Sequence, residues 1–148
     1  MHDQAKEIVP RIIYEWTMLN ETYSLRKKSR ETFEHDAFLE SFLIHARNLY
    51  DFLTKTRSEA RKNDVVAEDF FDEGSQWNPS ARIGFVEENR RRLDRSLAHL
   101  CYDRIDYQQQ KRWVRMDKVL IEFQDAWDEF LSALPMSRRK WFLDHLSK

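Results

Sequence analysis

The sequence predicts an all-α fold: an up-down bundle of four main helices plus a short C-terminal helix, in a single domain over residues 1–148. Three observations carry this reading. The chain holds only 2 Gly and 3 Pro, where average usage would place roughly 18 of the two together. Sheets need turns and turns draw on Gly, Pro and Asn, so most all-β and doubly wound folds are excluded, as are glycine-rich phosphate loops. Apolar residues recur at helical spacing through most of the chain. At 41% of residues, with 14% aromatic, they are numerous enough for a core despite 34% charged residues.

Asp3 to Leu25 reads as the first helix, because Ile8, Ile12, Trp16, Leu19 and Tyr23 step by three or four. Pro10 either marks its true start or adds a kink. The run Arg26-Lys27-Lys28-Ser29-Arg30 closes it, and positive charge suits a helix C-terminus. Without interleaved aromatics that run reads as a solvated helix end before it reads as a phosphate site.

The second helix, Arg30 to Thr56, has two adjacent apolar rows. Phe38, Phe42, His45, Leu49 and Phe52 form one; Leu39, Leu43, Ala46, Tyr50 and Leu53 form the other. Together they cover roughly 180° of the helix surface. Such a face belongs to a helix central to a bundle or at a subunit interface, and a homodimer through it is expected.

Arg57 to Ser80 reads as a connection with at most a short helical turn. Its Phe70, Phe71 and Trp77 predict that it packs down on the core. Asn78-Pro79-Ser80 has the form of a helix start, with Asn as cap and Pro at the first position. A third helix to Asp103 then buries Ile83, Val86, Leu93, Leu97 and Leu100. A fourth, Tyr107 to Leu134, buries Trp113, Met116, Leu120, Phe123, Trp127, Phe130 and Leu131, and Pro135 stops it. Its Glu122, Asp125, Asp128 and Glu129 read as a wet face. Ser137 to Leu146 makes the last helix, carrying Trp141, Phe142 and Leu146.

Several function classes are disfavoured. The formal charge is −1, which argues against coating nucleic acid through bulk charge. A lone Cys101 cannot form an internal disulfide or a cysteine-rich zinc site. No Glu-x-x-His pair, no pair of histidines four apart and no Gly-x-Ser-x-Gly occurs, so no metal site and no cofactor are expected. With no signal-peptide pattern and no long apolar run, the expectation is a cytoplasmic protein without a membrane span.

The third helix carries the candidate chemistry. Arg92 and His99 lie seven residues apart, about 20° short of two full turns, and so share a flank of the core stripe. Ser96 and Asp103 share that side, and Arg95 leans toward His99 from the other. A histidine can move the proton of a ribose 2′-hydroxyl or of the leaving oxygen, and an arginine can hold the scissile phosphate. Such a pair suits metal-free RNA cleavage; an arginine-rich solvated face beside one histidine is the plainer reading. On the second helix, Arg47 either pairs with Asp51 at i+4 or lines the same groove as the third helix. His45, within an aromatic row, reads as a hydrogen-bonded core histidine.

Glu40-Ser41-Phe42-Leu43-Ile44-His45-Ala46-Arg47-Asn48-Leu49-Tyr50-Asp51-Phe52-Leu53 and Leu97-Ala98-His99-Leu100-Cys101-Tyr102-Asp103-Arg104 resemble a group of short, all-helical bacterial proteins. More loosely, the pattern is similar to the HEPN superfamily, helical bundles that often dimerise. Many of these are metal-independent ribonucleases of toxin–antitoxin, phage-defence or CRISPR systems, while others only bind. The HEPN signature is Arg, usually followed by a polar residue, with four to six residues between the Arg and a His. Arg92 and His99 fit at its upper limit with Leu93 in the polar position; Arg47-Asn48 has the preferred dipeptide but no following histidine. The resemblance spans residues 30 to 130. It implies Arg92 and His99 as catalytic residues, Arg47, Arg95 and Asp103 as RNA-binding residues, a homodimer, and RNA or a cognate protein as partner. A non-catalytic helical interaction module, and an RNA binder acting through residues 26–30, are the competing expectations.

Overall fold

The computed structural model describes residues 2–75, 77, 78, 83–98 and 115–147. Every regular element among them is helical. These are α1 (His2–Lys28), α2 (Thr32–Thr54), a 3-10 turn (Ala67–Phe70), α3 (Gly84–Ala98), α4 (Met116–Ala133) and α5 (Met136–Leu146). No helix among the described residues is long and apolar enough to cross a membrane.

α1 continues through Pro10, which is neither its start nor its end. Its Val9, Ile12, Ile13 and Leu19 are buried, and Ile8, Trp16 and Tyr23 pack at the edge of the core. A tight elbow at residues 29–31 returns the chain into α2, antiparallel to α1. Both apolar rows of α2 enter the core: Leu39, Phe42, Leu43, Ala46, Leu49, Phe52 and Leu53 are buried, with Tyr50 packed alongside. α2 therefore lies between α1, α3, α4 and the 3-10 turn. This corrects the expected dimer surface, because the wide aromatic face is covered within the chain.

The long connection is ordered by side chains that spacing rules do not weigh. Arg57 reaches the Asp64 carbonyl at 2.8 Å, the Arg61 carbonyl at 2.6 Å and the Asp69 carboxylate at 3.1 Å. Nearby, hydrogen bonds from the Thr56 backbone N–H and hydroxyl hold the Glu59 carboxyl below its ordinary range. Gly74, at φ 87°, supplies the left-handed turn that precedes Trp77. The Trp77 indole N–H then donates to the Leu53 carbonyl at 2.7 Å, and Phe70 is fully buried. Buried Arg138 of α5 fastens the same loop through the Phe70 carbonyl at 2.8 Å and Asp72 at 2.7 Å. The aromatics do pack down as their sequence predicts.

Phe130 of α4 sits where these parts meet. Its ring lies 5.3 Å from Phe52, 5.6 Å from Trp77 and 5.3 Å from Phe142, all edge-on, the favoured aromatic geometry. A stacked Trp16–Trp127 pair, centroids 4.7 Å apart, ties α1 to α4.

Two helix bounds differ from expectation. Ile83 is not helical and α3 begins at Gly84; residues 79–82, where the sequence places the start, lie outside the described residues. The reason is tertiary: the Phe85 backbone N–H donates to the Glu122 carboxylate at 3.2 Å, so an acceptor from α4 meets the first turn. Glu122 is thus a cap for another helix as well as part of a wet face. Arg115 is not helical, φ −86° and ψ 81°, so no single helix runs from Tyr107 through Leu134. The hydrogen-bonded Arg115 guanidinium holds the Asp117 carboxyl below its ordinary range at the start of α4.

Truncating Phe130 to Ala should destabilise the fold by about 3–5 kcal/mol, read by urea or thermal unfolding, because six rings lose a shared neighbour. A loss below about 1 kcal/mol would contradict its place at the centre of the core.

Candidate functional site: the seam between α2 and α3

Sequence reasoning placed the candidate chemistry on the third helix, and α3 is set by what it buries. Val86 and Leu93 are fully or almost fully buried and Leu97 packs behind them. That anchors one stripe and fixes which flanks turn toward α2. Counting 100° per residue from Val86, Arg90 and Asp94 fall near +40° and +80°, while Arg92 falls near −120°, on the opposite flank.

Two crossed ion pairs close the first flank onto α2. Arg47 Nε lies 3.0 Å from Asp94 Oδ1, and Arg90 Nη2 lies 2.8 Å from Asp51 Oδ1. Asp51 also receives the Lys55 ammonium at 2.9 Å, and the Arg90 guanidinium stands 5.7 Å above the Tyr50 ring. Each helix carries Arg-x-x-x-Asp, Arg47 to Asp51 and Arg90 to Asp94. Each arginine pairs with the aspartate of the other helix, which is possible only when the two run antiparallel. All four side chains are about a third exposed, so the pairs act on register more than on stability.

Arg47 therefore does not pair with Asp51. It does line the α2–α3 seam, but its guanidinium is held by Asp94 and faces the flank of α3 away from Arg92. The structure does not bring Arg47 and Arg92 to one groove. Arg95 lines an open cleft of about 630 Å³ with Glu87, Glu88, Arg90, Arg91 and Asp94. Arg92 is half-buried and does not line that cleft. His99 and Asp103 lie outside the described residues. Among the described residues, no group of three or more His, Cys, Asp or Glu is placed to hold a metal ion.

Spacing rules missed Arg90 and Asp94, and offered Asp51 to Arg47 rather than to Arg90. The repeated Arg-x-x-x-Asp on two helices was the signal that could have found them. His45, by contrast, is where its row predicts. It is 8% exposed, its Nδ1 lies 2.6 Å from Glu15 Oε2, and Tyr14 meets its ring edge-on at 5.7 Å. Asn48 donates to the same carboxylate at 3.1 Å. This polar set joins α2 to α1, and a structural role accounts for it.

No protein-family model, no curated protein and no solved structure matches the chain.

Two outcomes are expected from substitution. In a double-mutant cycle, Arg90→Ala and Asp51→Ala should couple by about 0.2–1 kcal/mol; additive losses would mean that the pair does not form in solution. Glu15→Ala should lower stability by about 1–3 kcal/mol, since the buried His45 nitrogen loses its partner. An unchanged melting temperature would show that water replaces Glu15 at no cost.

Proposed function

We propose that the chain is a HEPN-like up-down helical bundle acting on RNA without a metal, in a bacterial toxin–antitoxin or phage-defence setting. In this reading the Arg92 guanidinium holds the scissile phosphate, and the His99 imidazole takes the 2′-hydroxyl proton or protonates the leaving oxygen. Arg95 and Asp103 border the substrate. A homodimer in the cytoplasm belongs to the same reading, through a surface other than the apolar face of α2.

One observation carries it. α3 is pinned at Arg90 and Asp94 against α2, which leaves Arg92 half-buried on the opposite flank, away from the charge-balanced seam. Asp51 and Asp94 are engaged by Arg90, Lys55 and Arg47 on the other flank of α3. Arg47, held by Asp94 at the α2–α3 seam, helps orient the RNA from the other side of α3 in this reading.

A second reading has its own support. The cleft on α3 is lined by three acidic residues and three arginines, Glu87, Glu88, Asp94, Arg90, Arg91 and Arg95. That balance suits the mixed-charge surface of a partner protein better than a phosphate backbone. It describes a non-catalytic interaction module.

Purified chain should degrade a fluorescent RNA with EDTA present. His99→Ala should slow that by about 100-fold or more with an unchanged melting temperature, and Arg92→Ala by a similar factor. Cleavage that survives in His99→Ala would remove the proposed acid–base role. Failure of the parent chain to cut any RNA would leave the interaction module as the account of the site.

A further inference from the structure

The basic run that ends α1 lacked an aromatic in the sequence, and the fold supplies one. Phe33, in the first turn of α2, is 84% exposed, the most exposed large apolar side chain among the described residues. It follows directly on an elbow whose Lys27, Lys28 and Arg30 are all exposed. A phenylalanine in that position contributes nothing to the core.

The elbow is a built structure rather than a loose end. The Ser29 backbone N–H donates to the Leu25 carbonyl at 2.9 Å, and its hydroxyl donates to the Glu34 carboxylate at 2.7 Å. The His35 ring nitrogen meets the Ser29 carbonyl, and the His35 backbone N–H donates to the Glu31 carbonyl at 3.0 Å. Arg26 turns away to Met116 Sδ at 3.0 Å, and Lys27 lies 4.9 Å above the Tyr23 ring. Lys28 and Arg30 have no ion-pair partner among the described residues. Lys28, Arg30 and the bare Phe33 ring, with Lys27 beside Tyr23, are thus exposed together at a hydrogen-bonded turn.

We propose that this elbow is a binding site for single-stranded nucleic acid, with a base stacked on Phe33 and adjacent phosphates on Lys27, Lys28 and Arg30. Stacking on an aromatic next to backbone-tracking cations is the general chemistry of single-strand binding, and it is indifferent to sequence. An anionic membrane fits less well. Exposed Glu31 and Glu34 flank Phe33 in the same turn, and a flat anionic surface would meet them together with the ring. A strand can follow the cations and touch only the ring. A duplex fits less well also, since its bases are already stacked.

The site is separate from the cleavage reading and does not rest on it. The crossed ion pairs make α3 antiparallel to α2, so the C-terminal end of α3 points to the same end of the bundle as the elbow. A strand held at Phe33 would thereby be presented toward that end.

Fluorescence anisotropy with labelled oligo(dT) tests the site alone, because a strand without 2′-hydroxyls cannot undergo the proposed cleavage. The parent chain should bind it in low salt, with affinity falling as salt rises. Phe33→Ala should weaken binding by roughly five- to 100-fold with the melting temperature unchanged. Replacing Lys27, Lys28 and Arg30 by Gln should weaken binding and flatten its salt dependence. Binding that is absent in the parent chain, or as tight in Phe33→Ala, would overturn the proposal. So would Phe33-dependent binding to phosphatidylserine vesicles without binding to the oligonucleotide.

Discussion

The structure depends on the double apolar row of α2. A helix with one stripe can lie on the outside of a bundle; a helix buried over about half its surface must have neighbours on both sides. α2 obtains them from α1, α3, α4 and the loop turn, and Phe52 at its C-terminal end meets Phe70 and Phe130 edge-on. Once α2 is enclosed, its polar edge is the strip where Arg47, Asp51 and Lys55 can meet another helix. The position of α3, and so the side to which each of its arginines turns, follows from that.

Hydrophobic burial and charge divide the work between them. Val86 and Leu93 decide that α3 packs against the core, but burial alone tolerates sliding by a turn. Arg47–Asp94 and Arg90–Asp51 are each satisfied in only one register and one direction. Their exposure keeps their energy small, while a wrong register would set like charges against each other. Register rather than stability is the service these pairs perform, and that register sets Arg92 on the flank away from them.

Much of this was legible in the sequence. Helical periodicity identified α1, α2 and α5 to within a few residues and the C-terminal end of α4 as closely, and the burial of Phe42, Leu49, Phe123 and Trp127 followed from it. What failed was whatever depends on a second element. Asn78-Pro79 has every local property of a helix start, yet α3 begins where Glu122 of α4 meets the backbone of Phe85. The aromatic face of α2 had the width of an interface, but width does not say whether the covering partner is the same chain or another. Arg47 with Asp51 four residues on has the form of an intrahelical pair, until Asp94 and Arg90 compete for both. Arg57 and Arg138, which order the long connection, gave no periodic signal because their partners are backbone carbonyls of the loop itself.

The rotational setting of α3 on α2 is the claim on which the site depends, and cross-linking measures it directly. In a Cys101→Ser background, Arg47→Cys should be joined to Asp94→Cys by a short bismaleimide, and Arg47→Cys with Arg92→Cys should not. Efficient joining of the second pair, with little of the first, would turn Arg92 toward α2 and contradict the account.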